Sequence, residues 1–175
     1  MNEIQNKKRK SIRLESYDYS LAGAYFFTTN ILRKEIILGE IRDGTIKLSK
    51  EGYIVRDIWQ GLPSHFEQIS LGPYCIMPDH FHGIIILSDE GKSAGSENNR
   101  ESFFDVIRRF KSLTARRINI VLNTRGNAVW QKNYYEHIIR NEMDFDRITD
   151  YILANPINWE KGVRNKSSSL FVKTS

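Results

Sequence analysis

Near the start of the chain apolar residues gather in a strand-length run. Tyr25-Phe26-Phe27-Thr28-Thr29-Asn30-Ile31-Leu32 is dense in aromatic and β-branched residues and predicts a strand, with Gly23 supplying the turn before it. Ile36 to Ile41 and Thr45 to Leu48 flank Asp43-Gly44, whose glycine readily takes positive φ, so a hairpin is expected. After Ser49, which has the character of a helix cap, the pattern changes. Ile54 with Ile58 and Val55 with Trp59 fall four apart, predicting a helix from Lys50 to about Gly61 whose apolar stripe faces a sheet; Pro63 lies just beyond it. Tyr74 to Met77 and Phe81 to Leu87 predict two buried strands parted by Pro78-Asp79. The polar stretch from Ser88 to Arg100 is expected to be a loop within the domain. From Ser102 to about Leu122, Phe103, Ile107, Phe110 and Leu113 predict a second helix with its basic residues on the outer arc. The segment from Trp130 to Ile139 is strand-like at its end. Phe145, Ile148 and Ile152 mark a third helix, which Pro156 is expected to stop. The class is therefore α+β, an antiparallel sheet with helices on a face, in a ferredoxin-like or RRM-like arrangement.

With 175 residues the chain suits one core. The expected division is a basic tail over residues 1–15, a single domain over 16–165 and a C-terminal tail over 166–175. No apolar run approaches the roughly 18–20 residues that cross a bilayer. Lys7, Lys8, Arg9 and Lys10 precede no apolar stretch, so a secretory signal is not expected and the address is cytoplasmic. Cys75 is the only cysteine, which excludes an intrachain disulfide and a thiolate-rich zinc site and leaves it a core residue. The net charge of +5 favours a polyanionic partner. The charge is concentrated in the tail through Arg13 and in Arg108, Arg109, Lys111, Arg116 and Arg117, a candidate DNA-binding run. The same residues would equally make a solvated helix face and a tail.

His80 and His82 are one residue apart in a strand pattern, so both imidazoles emerge from one face and aim at one point. That spacing suits a metal pair, and also two histidines hydrogen-bonded at a sheet end. Tyr151 and Asn155, four apart, lie one above the other on the third helix, where a phenol and an amide oxygen could meet one metal. The tyrosine could as well be a core or interface residue, and Pro156 biases Asn155 away from helical ψ.

Met77-Pro78-Asp79-His80-Phe81-His82-Gly83 resembles the histidine–hydrophobe–histidine motif of the single-tyrosine HUH transposases. The segment from Trp130 to Arg140, with Tyr151-Ile152-Leu153-Ala154-Asn155-Pro156, resembles their REP-associated branch. The likeness runs from about Ser11 to Trp159. It implies an RRM-like core, a divalent metal on His80 and His82, a catalytic tyrosine at Tyr151, and a third ligand at Asn155, where some relatives have Gln. Mg²⁺ or Mn²⁺ suits such a donor set. A phenol with pKa near ~10 is mostly protonated at neutral pH, so its attack on a phosphodiester needs a base or an electrophile. Retention of the diester bond energy in a 5′-phosphotyrosine would then allow rejoining without ATP. Glu136 and His137 are candidates to support the ligands or move a proton, and Tyr134 and Tyr135 are substitute nucleophiles. The expected partner is single-stranded, hairpin-forming DNA, with a homodimer as a further expectation. Two other readings are a non-catalytic RRM-like module that holds single-stranded nucleic acid, and a replication-initiator nickase.

Overall fold

In the computed structural model, which describes residues 17–89 and 101–162, the alternating segments form six strands. They are β1 (Gly23–Asn30), β2 (Gly39–Arg42), β3 (Thr45–Leu48), β4 (Ile69–Met77), β5 (His80–Leu87) and β6 (Tyr135–Ile139). Three α-helices accompany them: α1 (Lys50–Gln60), α2 (Phe103–Val121) and α3 (Glu142–Glu160). The expected tails, and the expected loop from residue 90 to 100, lie outside the described residues.

Four strands make one antiparallel sheet in the order β4-β5-β1-β6, and β2 with β3 form a separate hairpin. Asp43 (φ 51) and Gly44 (φ 68) both take the left-handed conformation at its tip, which matches the twist of a two-residue hairpin turn. The first half of the hairpin starts at Gly39, three residues later than the apolar pattern suggests, because Ile37 and Leu38 direct their N–H groups to Pro78 O instead. Conversely β4 begins at Ile69, earlier than expected. Its alternation is obscured by an irregularity between Leu71 and Tyr74, where a residue is inserted into the ladder.

The sheet is covered on both faces. One face carries Tyr25, Phe27, Phe81, Ile85 and Leu87, packed against Val55 and Trp59 of α1 and Phe103, Ile107 and Phe110 of α2. The other carries Phe26, Ile84 and Ile139, packed against Ile148 and Ile152 of α3. A central strand buried on both sides accounts for the nearly unbroken apolar run of β5. Gly83 fits the same logic: a Cβ there would stand 2.9 Å from the Trp59 ring, so the absent side chain is what lets the indole lie on the sheet.

Each helix start is capped as its sequence dictates. Ser49 Oγ accepts from Gly52 N–H, Ser102 and Asp105 form a reciprocal capping box, and Asn141 Oδ1 accepts from Asp144 N–H. The end of α3 differs from expectation, since the helix runs through Pro156 to Glu160. Proline removes the N–H that would reach Ile152 O and crowds the preceding turn, yet the turn stays closed, and beside it Asn155 Nδ2 donates to Tyr151 O at 2.7 Å. Asn155 therefore stays helical. No helix among the described residues is long and apolar enough to cross a membrane.

Candidate active site

Antiparallel register sets Cys75, His82, Thr28 and Tyr135 side by side across the four strands, beneath α3. Next along β5, His80 pairs with Met77 and Asn30. The two imidazoles do share the α3 face, with ring centroids 4.6 Å apart and planes at 81°. The α3 helix brings Tyr151 over them, its ring 5.3 Å from that of His82 and 6.1 Å from that of Phe26. One turn on, Asn155 is buried against the same histidine. His80, His82, Tyr151 and Asn155 therefore meet at one place.

Each histidine has its Nδ1 engaged. His80 Nδ1 lies 2.5 Å from Asp79 Oδ1, and His82 Nδ1 lies 2.7 Å from Thr28 Oγ1. With their protons on Nδ1, both rings keep a lone pair on Nε2, the nitrogen turned away from these partners. His82 Nε2 is buried and has no hydrogen-bond partner of normal geometry. Burial holds His82 well below the usual imidazole range, and the charges of His80 and Lys34 add to this, while the Asn155 side chain opposes it. A neutral imidazole with an unsatisfied inward nitrogen is costly to bury unless something occupies that nitrogen. With Asn155 Nδ2 given to the Tyr151 carbonyl, Oδ1 is the amide atom that acts on His82.

Residues that the periodicities do not single out complete the site. Thr28 and Asp79 fix the rings, and Lys34 Nζ stands 4.0 Å from Asp79 Oδ2. Trp159, two turns beyond Tyr151, lies with its ring 6.0 Å from that of His80. Only the strand register could have pointed to Thr28, and only a continuous α3 to Trp159. Cys75 is half-buried beside His82, and burial pushes its thiol up to about 12. Tyr135 shares the α3 face, and burial pushes its phenol up to about 12.

Other expected site residues lie elsewhere. Glu136 points to the opposite face of the sheet, with Ile138, because neighbours along a strand alternate. Tyr134 also packs on that side, against Phe27 and Phe103. His137 is on the α3 side, but its Nε2 lies 2.7 Å from Asp144 Oδ2, so it ties β6 to the first turn of α3 and does not touch the histidine pair. At the other end, Glu160 accepts from Asp43 N–H at 3.0 Å and Gly44 N–H at 2.7 Å. The helix that bears Tyr151 is thus held at both ends.

Arg108, Arg109, Arg116 and Arg117 are exposed on α2, across the sheet from the histidines. Arg108 pairs with Asp105, and Arg109 lies over Phe66. Lys111 is not on the outer arc with them. Its ammonium donates to Gln131 O at 2.7 Å and Lys132 O at 3.2 Å, and burial lowers its pKa to about 8. The expectation failed because a long lysine stem can turn back along its helix to cap a neighbouring loop.

Comparison with known proteins places this arrangement. An uncharacterized protein of Haemophilus influenzae is 34% identical over 169 residues, covering 87% of this chain and 91% of its own. The REP-associated tyrosine transposase of Escherichia coli is 22% identical over 160 residues, covering 87% of this chain and 79% of that protein. A solved structure of a REP-associated tyrosine transposase bound to a REP hairpin superposes with a TM-score of 0.58, at 22% identity, over 83% of this chain and 73% of that one. The chain is thus similar to REP-associated tyrosine transposases in sequence and in fold. Its α+β sheet-and-helix core is the fold of that transposase structure. No protein-family model matches the chain. These similarities support an enzyme of the transposase kind.

Proposed function

We propose that this protein is a metal-dependent endonuclease and strand transferase for single-stranded, hairpin-forming DNA, with Tyr151 as its nucleophile. The observation that carries the reading is the buried, inward Nε2 of His82, gathered with the Asn155 amide and the ring of Tyr151 at one place. Hairpin DNA as substrate rests on the likeness to the transposase solved with a REP hairpin. Cytoplasmic action fits such a substrate.

The residues fit a divalent cation such as Mg²⁺ or Mn²⁺. Two imidazoles held by Asp79 and Thr28 would bind through Nε2, with the Asn155 amide oxygen as a third donor. Among the described residues no group of three or more His, Cys, Asp or Glu is placed to hold a metal, so the amide and the DNA itself must complete the ligand set. Held by these residues, such a cation would supply positive charge to stabilise the phosphate under attack.

Around it the chain positions and attacks. Tyr151 is carried on a helix fixed at both ends, so its phenol meets the phosphate without a conformational search. The phenolic oxygen forms a bond to phosphorus and gives up its proton to solvent; the bond to the 3′ oxygen breaks, and that oxygen leaves as a hydroxyl. Tyr151 then holds the 5′-phosphate. Attack by another 3′-hydroxyl on the phosphotyrosine reverses the step and joins new ends.

A suicide oligonucleotide labelled on the 3′ side of its cut tests this. The full chain with Mn²⁺ is expected to give a denaturation-resistant protein–DNA band that maps to the peptide containing Tyr151, and Tyr151→Phe is expected to lose both band and cleavage. A nick with a free 5′-phosphate and no adduct would overturn the nucleophile assignment.

A further inference from the structure

Past Pro156 the third helix serves no obvious need of the core: Ile152 is its last fully buried apolar residue. Yet the helix continues, and Glu160 latches its end to the backbone of Asp43 and Gly44 at the hairpin tip, where Ile157 packs against Gly44. What this extension delivers is Trp159. Tyr151, Asn155 and Trp159 follow at intervals of four, so all three share the face turned to the histidines. Trp159 is half-buried, its ring tilted 42° to that of His80, whereas Trp59 and Trp130 are buried in the opposite layer.

A second feature closes on the same histidine. Immediately after β1, Arg33 (φ 57) and Lys34 (φ 56) are consecutive non-glycine residues in the left-handed region, a conformation that side chains disfavour and that persists only where the surroundings enforce it. The strained turn is pinned by Ile31 N–H to Asp79 O, Leu32 N–H to Val129 O, and Ile37 and Leu38 N–H to Pro78 O. Its outcome is the mostly exposed Lys34 ammonium 4.0 Å from the Asp79 carboxylate that holds His80. An ammonium kept exposed beside two imidazoles, on a strained backbone, suits a phosphate.

We infer that Trp159 and Lys34 form a nucleotide clamp beside His80, the indole stacking a base next to the scissile phosphate and the ammonium pairing with the adjoining backbone phosphate. The chemistry recognised is an unpaired base with its phosphate. A single strand offers this and a duplex hides it, since in a duplex both faces of each base are stacked. The inference deepens the proposed nuclease reading and rests on it for the position of the scissile phosphate.

The test is a binding titration of the full chain, chelated with EDTA, against a short single-stranded oligonucleotide spanning the cut. Because the other two tryptophans are buried, fluorescence quenching by the oligonucleotide is expected and is expected to vanish in Trp159→Phe, which retains most of the affinity. Trp159→Ala is expected to bind about 5- to 150-fold more weakly, the range that base–aromatic stacking supports. An abasic nucleotide at the flanking position is expected to cause the same loss with the unaltered protein, and little further loss with Trp159→Ala. Lys34→Gln is expected to lower the slope of log affinity against log salt by about 0.7, as one neutralised phosphate on a single strand requires. Unchanged affinity on both the Trp159→Ala and the abasic arms overturns the stacking assignment, and an unchanged salt slope overturns the phosphate assignment. If either occurs while the Tyr151 adduct still forms, the clamp is wrong and the nuclease reading stands. If quenching and abasic sensitivity persist but no adduct forms, the clamp stands as a binding site and the nuclease reading falls.

Discussion

Thr28 Oγ1 and His82 Nδ1 lie 2.7 Å apart across the β1–β5 pair, so a hydroxyl on one strand sets which nitrogen the histidine on its neighbour presents to α3. Thr28→Val keeps the shape of the side chain and removes the hydroxyl that hydrogen-bonds Nδ1. Mn²⁺ titration calorimetry is expected to show affinity lower by about 10- to 100-fold, the usual effect of removing a group that orients a metal-binding histidine. Unchanged affinity would mean that the ring is held by Phe26 and Tyr151 alone.

Tyr135 and Tyr151 stand on the same face of the sheet, and the proposed mechanism assigns the attack to Tyr151. Burial pushes the Tyr135 phenol up to about 12, which makes its phenolate rarer still at neutral pH. Tyr135→Phe is expected to retain the covalent adduct, with a cleavage rate within several-fold of the unaltered protein. Loss of the adduct in this variant, with DNA affinity intact, would move the nucleophile from α3 to β6.

The start of α3 carries a pH dependence of stability. Burial alone would raise the Asp144 carboxyl, but hydrogen bonds from Arg147 and His137 outweigh it and hold it below the usual range. A carboxylate depressed in the folded state stabilises above its unfolded pKa, near ~3.9, and that contribution is lost as pH falls through the folded value. Asp144→Asn is therefore expected to unfold at lower denaturant than the unaltered protein at pH 7. The two are expected to begin converging only below about pH 4 and to meet once pH has fallen past the lower, folded value. A gap that persists at low pH would show that the asparagine acts through packing or the cap.

Much of this was legible in the chain. Alternation in β1 and β5 placed His80 and His82 on one face, and the four-residue interval placed Tyr151 with Asn155, because both follow from backbone periods that tertiary contacts did not override. What periodicity could not reach was which strands are neighbours. Thr28 joins the site through the pairing of β1 with β5, a contact between residues 54 positions apart. Glu136 and His137 looked alike as polar residues of one strand, and only the face assignment parts them. Pro156 misled because its usual effect presumes a helix end without other support. Here the Asn155 amide and the Glu160 latch hold the helix on both sides of the proline.

The arginines of α2 pose the last question, because they project from the layer opposite Tyr151. Arg116 and Arg117 are exposed on the outer side of that helix, so a strand lying only over His80 and Tyr151 would not reach them. A hairpin is larger, and its duplex stem could pass around the sheet edge onto α2 while its single-stranded flank enters the site. In that case each arginine displaces counterions from the stem. Arg116→Gln with Arg117→Gln is expected to lower the slope of log affinity against log salt by about 0.9 for each phosphate that these arginines neutralise, and to weaken hairpin binding most at low salt. The cleavage rate at saturating DNA is expected to stay unchanged, since neither residue approaches the phosphate under attack. A short single strand without a stem is expected to bind the double variant and the unaltered protein alike. Equal salt slopes for the hairpin would confine the DNA to the α3 side and leave the α2 arginines as a solvated face. A slower rate at saturation would instead place them within reach of the scissile phosphate and overturn this assignment.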